Sequence, residues 1–126
     1  MTNDSSVKKL ADEISKFVAE RDWAQFHSPK NLAISLSIES AELLEIFQWL
    51  TPEQSNSAEH VNLRHLREEI GDVMIYLTTL AKKFKIDPVE AALEKIAINK
   101  EKYPVEKSMP GTTLSVLFPY YFIFLI

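Results

Sequence analysis

Apolar residues recur along most of this chain at helical spacing, about 100° per residue on a wheel, rather than in the alternation of strands. Between Leu32 and Leu50 they form a stripe of Leu32, Leu36, Leu43, Ile46 and Leu50. Three capping residues stand directly before proline, at Ser28-Pro29, Thr51-Pro52 and Asp87-Pro88. In each, a side-chain acceptor takes the N-cap and proline takes N1, where its missing N–H does no harm. Glu90 completes a capping box with Asp87. These signals predict helices over residues 6–21, 29–50, 58–84 and 88–102, with a single turn after Thr51. No strand is expected before residue 110. The predicted fold is all-α, an antiparallel bundle-like arrangement of four helices joined by short connections.

Acids interrupt the stripes. Glu39 lies in the middle of the first stripe and Glu42 at its edge one turn on. Shifting the chain by thirty residues superposes Leu36, Glu39, Glu42, Leu43, Ile46, Phe47 and Leu50 on Leu66, Glu69, Asp72, Val73, Tyr76, Leu77 and Leu80. If the two helices pack on their apolar sides, four carboxylates meet in one cleft. Crowded carboxylates either take up protons or bind cations. With oxygen ligands only, the hard cations Mg²⁺ and Mn²⁺ suit the set. A single Glu-x-x-Glu is more often a solvated face; two in register on apolar stripes are not. Glu45 and Glu68 fall on polar sides.

Composition narrows the chemistry. The 126 residues carry a net charge of −4 with no basic stripe, which disfavours nucleic acid as a partner. There are only two glycines and no cysteine, so Gly-rich phosphate loops, disulfides and thiolate sites are excluded. The first residues lack an apolar core and do not read as a signal peptide, so a cytoplasmic protein with no membrane span is expected. The last stretch, "LSVLFPYYFIFLI", is too short to span a bilayer and is broken by Pro119. The expected division is a domain over residues 1–110 and an apolar tail over 111–126.

A carboxylate-held Mg²⁺ is suited to phosphate substrates. Lys95, Lys100 and Lys102 offer positive charge, and Lys95 shares a helix face with Asn99. Trp23, His27, Trp49 and Tyr76 frame the acids, and an aromatic face can stack on a base. Phe17, Phe26, Phe47 and Phe84 are read as core, His60 and His65 as exposed.

The segments "RDWAQFHSPKNLAISLSIESAELLEIFQW", "LREEIGDVMIYL" and "INKEKYP" resemble the MazG-like nucleoside triphosphate pyrophosphohydrolases, in the branch that includes the dCTP pyrophosphatases. The likeness runs from about residue 10 to residue 104. It implies an all-α homodimer, or a tetramer built from dimers. It also implies Mg²⁺-dependent hydrolysis of a nucleoside triphosphate between the α- and β-phosphates, releasing a monophosphate and pyrophosphate. Glu39, Glu42, Glu69 and Asp72 take the metal-binding places. Trp23, Trp49 and Tyr76 fall where relatives contact the nucleoside, and Lys95 and Asn99 match binding positions on the last helix. A histidine that relatives offer the base is replaced by Ile14; the resemblance favours cytosine and leaves a purine deoxynucleotide open. The competing expectation is a non-catalytic helical metal-binding or interaction module. A di-iron protein would use Glu-x-x-His pairs, and none of the three histidines follows a glutamate by three.

Overall fold

The computed structural model describes residues 2–108, with side chains over 6–106. The apolar tail expected at 111–126 lies outside the described residues. Every regular element among them is helical. They are α1 (Thr2–Glu20), a 3₁₀ turn (Ala24–Phe26), α2 (Pro29–Glu45), α3 (Pro52–Ser55), α4 (Leu63–Lys83), α5 (Pro88–Lys102) and α6 (Val105–Ser108). One compact unit ends at Pro88 and holds α1 to α4; a second begins at Val89. No described helix is long and apolar enough to cross a membrane.

Local chemistry starts the helices. Ser28 Oγ accepts the Asn31 N–H at 3.1 Å and opens α2. Thr51 Oγ1 accepts from Gln54 N–H at 3.1 Å, and Gln54 Oε1 accepts from Thr51 N–H at 2.9 Å. That reciprocal box, with Pro52 at N1, makes the single turn α3. The α4 start departs from expectation by five residues, at Leu63 rather than 58. Asn62 is the reason: its Oδ1 accepts the His65 N–H at 3.1 Å and caps the helix there.

The ends are less obvious. Asp22 and Lys85 have φ of 53° and 55°, the left-handed conformation that usually falls to glycine. After α1, Trp23 N–H reaches Val18 O at 3.1 Å and Asp22 N–H reaches Ala19 O at 3.2 Å. After α4, Ile86 N–H reaches Ala81 O at 3.0 Å and Lys85 N–H reaches Lys82 O at 3.1 Å. Both are Schellman closures built without glycine. The expected helix to Leu50 instead stops at Glu45 and continues as tighter turns, Phe47 N–H to Leu44 O and Leu50 N–H to Phe47 O, each 2.9 Å. Pro52 requires an extended residue before it, and Thr51 obliges with ψ of 160°.

Within the first unit α2 packs along α4, and α1 meets α4 more lightly. Leu32, 1% exposed, and Val61 are the buried apolar residues, and Glu69 and Thr78 the buried polar ones, among those described. Burying a leucine this completely contributes about 1.5–3 kcal/mol. Phe17, Phe26 and Phe84, expected in the core, are exposed in the single chain. They sit on α1, in the 3₁₀ turn and at the C-cap of α4, and α1 meets α4 only lightly. Phe17 is dressed locally instead, with Trp23 edge-on at 5.7 Å and the Arg21 guanidinium 3.7 Å above its ring.

Candidate metal centre

The α2–α4 seam brings acids from both helices together. Glu39, Glu69 and Asp72 each offer a carboxylate oxygen, and these oxygens lie within 4.8 Å of one another. A set of oxygen ligands gathered this closely suits a hard divalent cation. Glu69 is 6% exposed. Its Oε1 lies 2.8 Å from His65 Nε2, whereas Oε2 is buried without a hydrogen-bond partner. A buried anionic oxygen left unpaired is costly, and a cation is the partner that would satisfy it.

Electrostatics point the same way. Burial holds the Glu39 carboxyl above its ordinary value, reinforced by the negative charges of Glu42, Asp72 and Glu69 and by a hydrogen bond with the Glu42 side chain. Glu42 therefore acts on the cluster, although it is exposed and outside the three-oxygen group. Acids that push up one another's proton affinity also bind a divalent ion in place of the proton. The donor set fits Mg²⁺ or Mn²⁺.

The other sequence-predicted residues are more dispersed. Trp23 is exposed at the α1 closure. His27 lines a cleft of about 360 Å³ between α1 and α4, with Ile14, Val18, Thr78 and Lys82. Thr79, on the same cleft, is seven residues beyond Asp72, about 10 Å along the helix axis. Tyr76 is half-buried, one turn after Asp72. Trp49 sits in the turns after α2 and is 87% exposed. Lys95 and Asn99 lie on α5 in the second unit, Lys95 exposed and Asn99 half-buried.

Two residues near the acids escaped the sequence reading. His65 pairs with Glu69 as described. Arg67 lies with Arg64, Glu68, Gly71 and Asp72 along an open groove. Arg64 is engaged by Glu68 at 3.2 Å. The signal for His65 was available: it precedes Glu69 by four residues, the spacing at which helical side chains meet.

Residues 34–110 match the MazG-like family. The chain belongs to that family. It is 41% identical over 97 residues to dCTP pyrophosphatase 1 of Bos taurus, covering 75% of this chain and 57% of that protein. With dCTP pyrophosphatase 1 of Homo sapiens the identity is 43% over 95 residues, 71% of this chain and 54% of that protein. The chain thus spans little more than half the length of these relatives. Among solved structures, a pyrophosphatase from Archaeoglobus fulgidus DSM 4304 is similar with a TM-score of 0.72 and 43% identity, covering 77% of this chain and 91% of that one.

Proposed function

We propose that this protein is a Mg²⁺-dependent nucleoside triphosphate pyrophosphohydrolase. It would act on dCTP or a related deoxynucleotide in the cytoplasm, for pool cleansing. One observation carries the reading: three carboxylate oxygens from two helices converge within 4.8 Å, and one oxygen of the buried Glu69 has no hydrogen-bond partner. Family membership and the pyrophosphatase names of the relatives support the reaction class.

Glu39, Glu42, Glu69 and Asp72 would hold the metal. When bound, the ion supplies charge neutralisation at the phosphates and a more acidic water. Hydrolysis breaks the anhydride between the α- and β-phosphates, with water adding across it to give monophosphate and pyrophosphate. Of these four acids Glu42, exposed and outside the three-oxygen group, is the least committed to ligation and would accept the proton of the attacking water. Arg67, in the groove with Asp72, offers positive charge to the phosphate chain. For the nucleoside the reading assigns Trp23, His27, Trp49 and Tyr76, with Lys95 and Asn99 from α5. The α1–α4 cleft lined by His27 also holds Thr79, seven residues beyond Asp72 on α4.

The working form in this reading is a bundle assembled as a homodimer or a tetramer of dimers. Ile34, Ile38, Ile70, Met74, Ile75 and Leu77 are exposed on α2 and α4, and exposed apolar side chains of this kind support association with further copies. Residues 1–110 form the catalytic domain and 111–126 a tail with no assigned role.

Incubation with each canonical NTP and dNTP plus Mg²⁺, followed by identification of products, tests the proposal. Monophosphate and pyrophosphate are expected, with Glu69→Gln folded but inactive. Diphosphate with phosphate would refute the bond assigned. No turnover of any nucleotide would favour a non-catalytic module.

A further inference from the structure

We propose that His65 is a positioning residue for Glu69, occupying one carboxylate oxygen so that the other is presented to the metal. The inference rests on the metal reading above and goes beyond it, because the acidic motif says nothing about what aims its ligands.

The argument begins at the helix start. Asn62 Oδ1 holds the His65 N–H at 3.1 Å, which fixes the first turn of α4 on which the imidazole is mounted. Four residues on, Glu69 lies on the same helix face. The contact from His65 Nε2 to Glu69 Oε1 is 2.8 Å. In this proposal the imidazole is held with its Nε2 toward that oxygen, the one direction in which a ring nitrogen can engage it. With Oε1 in that contact, Oε2, buried and without a hydrogen-bond partner, is the oxygen the proposal leaves for the cation.

A neighbouring pair shows why this contact differs from a surface ion pair. Arg64 and Glu68 repeat the same spacing one residue earlier, with side chains 90% and 57% exposed. The Glu69 side chain is 8% exposed. A guanidinium beside Glu69 would span both oxygens and compete with a metal for them. An imidazole presents one N–H in that direction and engages one oxygen. The choice of histidine therefore fixes the carboxylate's rotation without blocking its second lone-pair face. Partners that orient ligands in this way typically change metal affinity about 10–100-fold when removed.

Mn²⁺ binding to the nucleotide-free protein, followed by calorimetry and by the loss of the free-ion electron paramagnetic resonance signal, gives a readout independent of turnover. His65→Leu should weaken Mn²⁺ binding about 10–100-fold. His65→Gln, whose amide Nε2 can donate along the same path, should recover most of the loss. Raising Mg²⁺ should restore kcat of the leucine variant, since the defect is in filling the site. If His65→Leu fails to fold, His65→Ala takes its place in the same comparison with glutamine. Wild-type Mn²⁺ affinity in the leucine or alanine variant would overturn the role of His65, as would a glutamine variant no better than leucine. A wild-type protein that takes up no Mn²⁺ at millimolar concentration would instead overturn the metal reading itself.

Discussion

Replacing Glu39 by glutamine should make the metal-free protein more stable while weakening its hold on metal. The oxygens of Glu39, Glu69 and Asp72 lie within 4.8 Å of one another. Two unit charges at that separation repel by roughly 1 kcal/mol in water and about 3–4 kcal/mol at an effective dielectric near 20. Glu39 is half-buried, and solvent screening places its repulsion toward the lower bound. Glutamine keeps the shape, removes the charge and adds an N–H that can face the neighbouring carboxylates. The expected gain is about 1–2 kcal/mol, or about 3–8 °C in Tm for a chain of this size.

The effect has a defined pH dependence. The folded-state pKa of Glu39 is raised above its ordinary value of 4.5. Between the two values the native state holds more protons than the unfolded state, so wild-type stability without metal falls as pH rises through that window. The glutamine variant lacks this loss. Its advantage should be full above the raised pKa and fade as acid protonates Glu39 in the wild type. Thermal melts in EDTA at pH 8 and pH 5, repeated with saturating Mg²⁺, measure all of this. With Mg²⁺ the order should narrow or reverse, because the variant has lost a ligand; a tenfold loss of affinity alone removes about 1.4 kcal/mol of the stabilisation by metal. A variant that melts below wild type in EDTA at pH 8 and keeps the full Mg²⁺ response would refute the electrostatic reasoning.

Two further outcomes follow from particular side chains. Trp49 is 87% exposed, so Trp49→Ala should leave stability within about 0.5 kcal/mol. It should also raise the nucleotide KM more than it lowers kcat in steady-state kinetics, and an unchanged KM would remove Trp49 from base binding. Lys85 holds a φ of 55°, and Lys85→Gly should raise stability by about 0.5–1 kcal/mol, net of the freedom glycine gains when unfolded. Urea denaturation with an unchanged m value checks this, and a lowered midpoint would show that the Lys85 side chain matters more than its backbone.

What could be read from sequence divides by range of interaction. Ser28-Pro29 and Thr51-Pro52 were legible because a cap and its N–H partner lie three residues apart. The meeting of Glu39 with Glu69 and Asp72 was legible because each acid interrupts an apolar stripe, and two such stripes have each other to pack on. The end of α2 at Glu45 was not, since neither glycine nor proline stands there; the constraint comes from Pro52, several residues later. Asp22 and Lys85 hid the helix closures because residue type alone does not announce a left-handed backbone. The phenylalanines misled for another reason. Apolar character says that Phe17, Phe26 and Phe84 favour burial, but whether a single chain has the surface to bury them depends on how closely α1 approaches α4.

The early stop of α2 separates two tasks along a short piece of chain. Glu39 and Glu42 are held in regular helix, while Trp49 stands in the irregular turns beyond it. If Trp49 stacks on the base as proposed, substitutions between residues 46 and 51 would reshape which nucleobase is welcomed without disturbing the register of the acids. On that proposal a lineage, or an engineer, would retune selectivity there and leave the chemistry assigned to the acids alone.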